Sequence, residues 1–351
     1  MRTHRCATTL AALAAAVSFS CAPTYKEVFP TLLDGRYDSE FPYRGCSEQL
    51  EEIGESVKMV NTIAYYRTYF FAPDEQVRPA DAGTDFLRER FKGSTVISSQ
   101  AAGTATVISS EGRRVVLVTC AHIIGFPDTA VAFRIGPDHR PTEFLRSLAV
   151  KERQSIYIAG FPETGELELL AKDAGADVAL LGKTFDNEPF PRVRALAYPN
   201  GSAKQLEWGS FVYLFGYPSG FKMVTKGIVS NPNKDRRGTF LLDAVFNRGF
   251  SGGIALAIRD GVPNFELVGM VKLVSGRSAY VLAPAPGDDT PDYESGVPYT
   301  GDVFVERRMD IEYGIAQAVP VEVIVEFIRE HRDELAARGY AVRFPAGKPA
   351  P

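Results

Sequence analysis

The sequence predicts a mainly β fold closed by one C-terminal helix. Three observations carry that expectation. Short apolar runs rich in β-branched residues recur, as in Val115-Val116-Leu117-Val118 and Val178-Ala179-Leu180-Leu181. Ile254-Ala255-Leu256-Ala257-Ile258 alternates in the manner of a strand. The clearest helical period lies at 320–338, where Ile324, Phe327, Ile328 and Leu335 line one face, fit to pack on the second half of the fold. Pro320 suits its first turn and Gly339 its end.

The chain opens on a segment with the marks of a secretion signal, residues 1–20. Arg2 and Arg5 supply the positive start, and Leu10 to Val17 a short apolar stretch too brief to span a bilayer as a mature helix. Val17-Ser18-Phe19-Ser20-Cys21 resembles a bacterial lipobox ending at the modified cysteine. That reading implies a lipid anchor on Cys21 and a place in the cell envelope, on the periplasmic side. Residues 21–55 follow as a lipidated tether and N-terminal extension. Within it, 22–45 is rich in Pro, Tyr and charge, and Ser47 to Ile53 opens a short helix. Ser56 to Val60 begins the first strand, and the aromatic run from Thr62 to Phe71 continues it. Residues 73–95 are a polar insertion, and 284–301 is a Pro-, Gly- and Asp-rich surface loop. Its acids Asp288, Asp289, Asp292 and Glu294 read as a solvated loop, with a bound cation as the rarer alternative. Residues 339–351 form a tail.

Composition is that of a core-forming protein, with 45% hydrophobic and 23% charged residues. Removing residues 1–20 takes away two arginines, so the formal charge passes from −4 to −6. With no basic tract, nucleic-acid binding is not expected. If Cys21 is lipidated, only Cys46 and Cys120 remain in the mature chain. Pairing between them has no positional support, and Cys120 reads as a small core residue.

The chemistry concentrates in Asn247-Arg248-Gly249-Phe250-Ser251-Gly252-Gly253. A serine hydroxyl is a poor nucleophile at neutral pH, and needs a base and preset donors for the oxyanion formed on attack. Glycines allow a tight turn that aims N–H groups at one point. A plain Gly-rich turn between strands has the same sequence, so the upstream residues must decide. His122 closes a buried strand, and Asp177 opens a short apolar run where it can accept a proton from imidazole. Asp173, four residues earlier, is the competing acid. The order His122, Asp177, Ser251 is that of one known triad type. Of the other histidines, His4 lies in the signal segment, His139 in a polar turn and His331 in a charged helix.

Thr119-Cys120-Ala121-His122, Asp177-Val178-Ala179-Leu180-Leu181 and Gly249-Phe250-Ser251-Gly252-Gly253 resemble the three catalytic blocks of trypsin-like (chymotrypsin-fold) serine peptidases, closest to the bacterial high-temperature-requirement group. Gly103 to Ile108 resembles the strand before the histidine block. Val212 to Gly220 and Thr225 to Ser230 resemble that group's Gly-x-Pro-x-Gly and Gly-Ile-Val-Ser segments. Glu266 to Val271 resembles the substrate-pairing strand, and Tyr313 to Pro320 the last strand before the terminal helix. The likeness covers roughly 100–330. It implies two six-stranded antiparallel β-barrels within 56–338, the first about 56–200 and the second about 205–318, followed by the helix at 320–338. No PDZ domain is expected after that helix.

The resemblance also assigns roles. Ser251 attacks the scissile carbonyl of a protein or peptide, His122 carries the proton, and Asp177 orients the imidazole. The N–H groups of Gly249 and Ser251 form the oxyanion hole, with no metal or organic cofactor. Val245, followed by Phe246, takes the floor of the specificity pocket; without charge there, a small or medium apolar residue is expected before the cut. Met270, Val271 and Lys272 offer backbone hydrogen bonds to an extended substrate. Phe250 departs from the pattern, standing where the family carries Asp or Asn. Either it packs inward and holds the loop, or it leaves the Gly249 peptide flipped and the enzyme inactive. A non-catalytic homologue acting as a binding or scaffold module is the alternative. An α/β-hydrolase elbow fits less well, because two glycines and a strand follow Ser251 where that fold needs a helix.

Overall fold

The computed structural model describes residues 33–342 apart from 43, 138–139, 162–164, 189–191, 285–295, 297 and 299–302. It gives only the backbone at 273–278, 284, 307 and 309–313. Cys21, His139 and the acids of the 284–301 loop lie outside the described residues.

Helix α1 (Ser47–Ser56) runs directly into β1 (Val57–Phe70), where inward residues Val60, Thr62, Ala64 and Tyr66 alternate with less buried ones. The insertion that follows carries α2 (Thr84–Glu89). It is not merely polar: Ala82, Phe86 and Leu87 pack on Phe71, Val77 and Leu145 and close one end of the lobe. The lobe continues through β2 (Thr95–Glu111), β3 (Arg114–Thr119), the short turn α3 (Ala121–Ile124), β4 (Thr129–Ile135), β5 (Pro141–Ile158), β6 (Glu168–Asp173) and β7 (Val178–Thr184).

These strands form one antiparallel sheet in the order β4-β5-β1-β2-β3-β7-β6. The first lobe is therefore a seven-stranded half-barrel, not the six-stranded barrel expected. The reason is the length of β5. Its 18 residues pair with β1 along 147–158 and with the additional strand β4 along 141–150. Strand β3 lies well inside the sheet, and Val115, Val116, Leu117 and Val118 are all buried, as their unbroken apolar run requires.

The second lobe is a closed six-stranded barrel in the order β10-β13-β12-β11-β8-β9. Its strands are β8 (Phe211–Gly216), β9 (Met223–Asn231), β10 (Phe240–Asp243), β11 (Ile254–Ile258), β12 (Phe265–Pro284) and β13 (Val303–Pro320). β12 and β13 run on past the barrel as a two-stranded ribbon, paired from Gly276↔Ile311 to Pro284↔Val303.

The expected C-terminal helix is two: α4 (Val321–Glu330) and α5 (Arg332–Ala337), parted at His331. The apolar face is as read from the sequence, and α4 lies against β12 and β13 of the second barrel as expected, but the face also reaches the first lobe. Ile324, Phe327, Ile328, Leu335 and Tyr340 join the core of the first lobe, with Met270 and Val319 of the second barrel at the seam. Gly339 ends α5 at φ +78, the left-handed conformation that favours glycine.

The other end of the chain crosses the opposite way. Asp38 N–H donates to Ile258 O (2.9 Å), and Phe211 N–H donates to Asp38 O (2.8 Å). Tyr37 is buried, donating to Glu266 Oε2 (2.7 Å) and accepting from Ser202 N–H (2.8 Å), with the Arg259 guanidinium 4.0 Å above its ring. Residues 35–38, part of the stretch read as a tether, are thus fixed to the second barrel.

Candidate functional site

His122 stands three residues past the end of β3, inside α3, where the strand gives way to a turn of helix. Asp177 stands at the end of the β6–β7 connection. The geometry of that connection separates the two competing acids. Asp173 Oδ1 accepts the N–H groups of Gly175 (2.7 Å) and Ala176 (3.1 Å), so its carboxylate shapes the turn. Asp177 follows at φ +59, a left-handed conformation that Asp tolerates better than most residues. Its Oδ1 accepts the backbone N–H of His122 (3.0 Å), and Nδ1 of the ring lies 2.9 Å from Oδ2. Two contacts, one to backbone and one to ring, fix the imidazole. The Asp177 side chain is 16% exposed and that of His122 43%, so a shielded carboxylate backs a reachable base.

Ser251 comes from the second lobe, in the loop between β10 and β11. Phe250 N–H donates to Asn247 O (3.2 Å), closing a four-residue turn whose third member, Gly249, has φ +105. A positive φ at that place marks a type II turn. Only glycine fits: a Cβ on Gly249 would lie 2.2 Å from Tyr217 O. Gly252 is equally constrained, at φ +84 with a Cβ position 1.9 Å from Thr104 O. Phe250 packs inward, 2% exposed, with its ring edge-on to Phe246 at 5.2 Å between centroids. Of the two outcomes left open for Phe250, the structure has the packed one.

Type I and type II turns differ by rotation of the central peptide, here Arg248–Gly249. Arg248 O accepts from Ser219 N–H (3.1 Å), and in a trans peptide the Gly249 N–H then points the other way. Among the described residues, neither Gly249 N–H nor Ser251 N–H has an acceptor within the chain.

Ser251 Oγ donates to Lys272 O (3.0 Å), and no hydrogen bond joins it to the His122 ring. The expected His122–Asp177 link is present; the expected His122–Ser251 link is not. The remaining residues sit as follows. Val245 is 72% exposed and lines an open groove with Phe41, Phe211 and Ile228. Phe246 is fully buried in the barrel core, so its side chain has no surface to offer a ligand. The backbone of Met270 pairs with Ile254 and Val319. Val271 N–H donates to Gly253 O (2.7 Å), and Val271 O accepts from Gly252 N–H (2.8 Å). The barrel thus uses Met270 and Val271, and Lys272 is the first position at which a substrate strand could compete for a carbonyl.

Cys46 and Cys120 are both free and buried. The thiol, imidazole and carboxylate of Cys120, His122 and Asp177 lie within 4.8 Å of one another, a donor set that zinc accepts. Cys120, however, has no exposed surface and donates to Val271 O (3.3 Å). Burial first, then the charge of Asp177, pushes its thiol well above the ordinary range, so it stays neutral.

One contributor escaped the sequence reading. Thr104 is fully buried and reaches across from β2. Its N–H donates to Ser251 O (2.8 Å) and its Oγ1 donates to Gly249 O (2.6 Å). The strand carries other hydroxyls, Thr106 and Ser109 among them, so the sequence did not single Thr104 out.

Residues 103–270 match the family model described as trypsin-like peptidase domain. A search of curated proteins finds no match. Among solved structures, the chain is similar to the serine endoprotease from Yersinia pestis, at 17% identity and a TM-score of 0.39, over 83% of this chain and 67% of that one. It is also similar to the Rv3671c protease in an inactive form, at 14% identity and a TM-score of 0.36, over 80% and 91%. The matched stretch runs across both lobes and contains all three blocks in their expected order, so this part of the chain is similar to a trypsin-like peptidase domain.

Proposed function

We propose that this protein is a serine endopeptidase that cleaves peptide bonds through His122, Asp177 and Ser251 by way of an acyl-enzyme. The observation that carries the reading is the double capture of His122 by Asp177, through backbone N–H and ring Nδ1. With Nδ1 so engaged, Nε2 is the nitrogen left to take a proton. Asp177 holds that tautomer and stabilises the imidazolium formed on attack. Ser251 becomes the nucleophile by rotating its hydroxyl from Lys272 O toward His122. A substrate N–H that pairs with Lys272 O would displace the hydroxyl and favour the rotation. The N–H groups of Gly249 and Ser251 then receive the oxyanion.

The residue before the cut is proposed to be small or medium and apolar, because Val245 itself carries no charge and the groove it lines holds one basic and one acidic residue, Lys226 and Asp243, beside Phe41, Phe211 and Ile228. The protein is further proposed to be exported and lipid-anchored at Cys21 on the periplasmic side of the cell envelope. Incorporation of labelled palmitate, lost in Cys21→Ala, tests the anchor.

A fluorophosphonate probe tests the catalytic reading. Labelling of the wild type, lost in Ser251→Ala and strongly slowed in His122→Ala, supports it. The hydrogen bond from Ser251 to Lys272 favours a second reading, a homologue that keeps the fold as a binding module. An unlabelled, folded wild type would establish that alternative.

A further inference from the structure

We propose that Thr104 is the positioning residue that holds the turn before Ser251 in its type II form. It would thereby keep the Gly249 N–H turned toward the place of an oxyanion; the inference rests on the reading of Ser251 as a nucleophile. The need for such a residue follows from Phe250. An Asp or Asn just before a nucleophilic serine can anchor the turn through its side chain. Phenylalanine has no polar atom there, and its ring is spent in the barrel core. The turn must be fixed by something else.

Thr104 supplies the fixing contacts. Its hydroxyl donates to Gly249 O (2.6 Å) and accepts from Tyr217 N–H (2.9 Å), so both of its roles are used, in a fully buried place. It therefore ties the turn to the loop Tyr217-Pro218-Ser219-Gly220. That loop in turn grips the central peptide of the turn, through Ser219 N–H to Arg248 O (3.1 Å). Ser219 sits at φ +51, a conformation a serine keeps only while its surroundings hold it. The main chain of Thr104 is committed as well: N–H to Ser251 O (2.8 Å), and O accepting from Thr119 Oγ1 (2.7 Å). One residue of the first lobe thus holds both flanks of the serine. Without its hydroxyl, Tyr217 N–H and Gly249 O lose their partner in a half-buried place, a cost that the chain relieves by moving the loop. Once Ser219 lets go of Arg248 O, rotation of the Arg248–Gly249 peptide replaces the oxyanion donor by a carbonyl.

The test compares Thr104→Val, which keeps the shape without the hydroxyl, with Thr104→Ser, which keeps the hydroxyl. Crystal structures of both variants and the wild type read the turn directly, whatever the activity. Gly249 should keep a positive φ in the wild type and Thr104→Ser, and lose it in Thr104→Val. With a peptide substrate, Thr104→Val should lower kcat about 10²-fold, the scale of one lost oxyanion donor, while KM changes little. Thr104→Ser should restore kcat. A type II turn with near-normal kcat in Thr104→Val overturns the proposal, as does a Thr104→Ser variant as impaired as Thr104→Val. If Thr104→Val does not fold, Thr104→Ala is read in the same two ways. A wild type that neither labels nor cleaves ends the peptidase reading instead, while the turn in the variants still decides the role of Thr104.

Discussion

The two lobes meet at Ser251 by different physical means. The first lobe delivers charge: His122 and Asp177 sit on the connections at the ends of β3 and β7, held by hydrogen bonds to a carboxylate. The second delivers shape: a turn that only glycines can make, backed by a buried aromatic pair. Groups of the first kind are sensitive to a single atom and tolerant of volume. Those of the second are sensitive to volume and carry no charge at all. The site is thus two half-sites with different failure modes.

The largest expected effect is Ser251→Ala, which should lower kcat by about 10⁶-fold and leave folding intact, measured by peptide hydrolysis and thermal melting. Asp177→Asn comes next. It keeps the size of the carboxylate but favours the wrong imidazole tautomer, so kcat should fall about 10⁴-fold with an unchanged melting temperature. Equal losses of activity and stability in Asp177→Asn would erase the distinction between the halves. Phe250→Ala should show the opposite balance. Truncating a ring at 2% exposure should cost about 3–5 kcal/mol in denaturant unfolding, and activity should fail through loss of fold.

The smallest effect concerns a carboxyl in the N-terminal segment docked on the second barrel. Burial pushes the Asp38 carboxyl up to about 7; Asp260, Asp34 and Glu40 add to this, and the Gly261 N–H opposes it. The folded chain holds that proton more tightly than the unfolded chain. The group therefore weakens the fold as pH rises from about 4 to about 7, with no further loss above that. Asp38→Asn still offers an oxygen to Gly261 N–H and cannot ionise. It should melt about 5 °C above the wild type near pH 8, with the gap closing near pH 4. A gap independent of pH would place the cause elsewhere.

The parts legible in the sequence were those governed by local pattern. The run Val115 to Val118 announced a strand covered on both faces, and the order of the three blocks pointed to His122, Asp177 and Ser251, of which the structure joins His122 and Asp177 by hydrogen bonds. The face of α4 and its place on the second barrel were readable, but its share in the core of the first lobe was not, because period says which side is apolar and not everything that covers it. The second pairing partner of the extended strand β5, β4, was missed for a similar reason: register depends on how far β5 extends beyond β1, which no single residue encodes. Thr104 was invisible because its role is to join points 113 and 145 residues away.

The ends of the chain cross. Tyr37 is committed to the barrel built last, and Tyr340 to the sheet built first. Neither half of the molecule is whole until the other has been made, since each borrows a terminus from beyond its own sequence. Cutting the gene between Thr184 and Phe211 would separate each half from one of its own fastenings, so the two products should be inert apart and regain structure only on mixing.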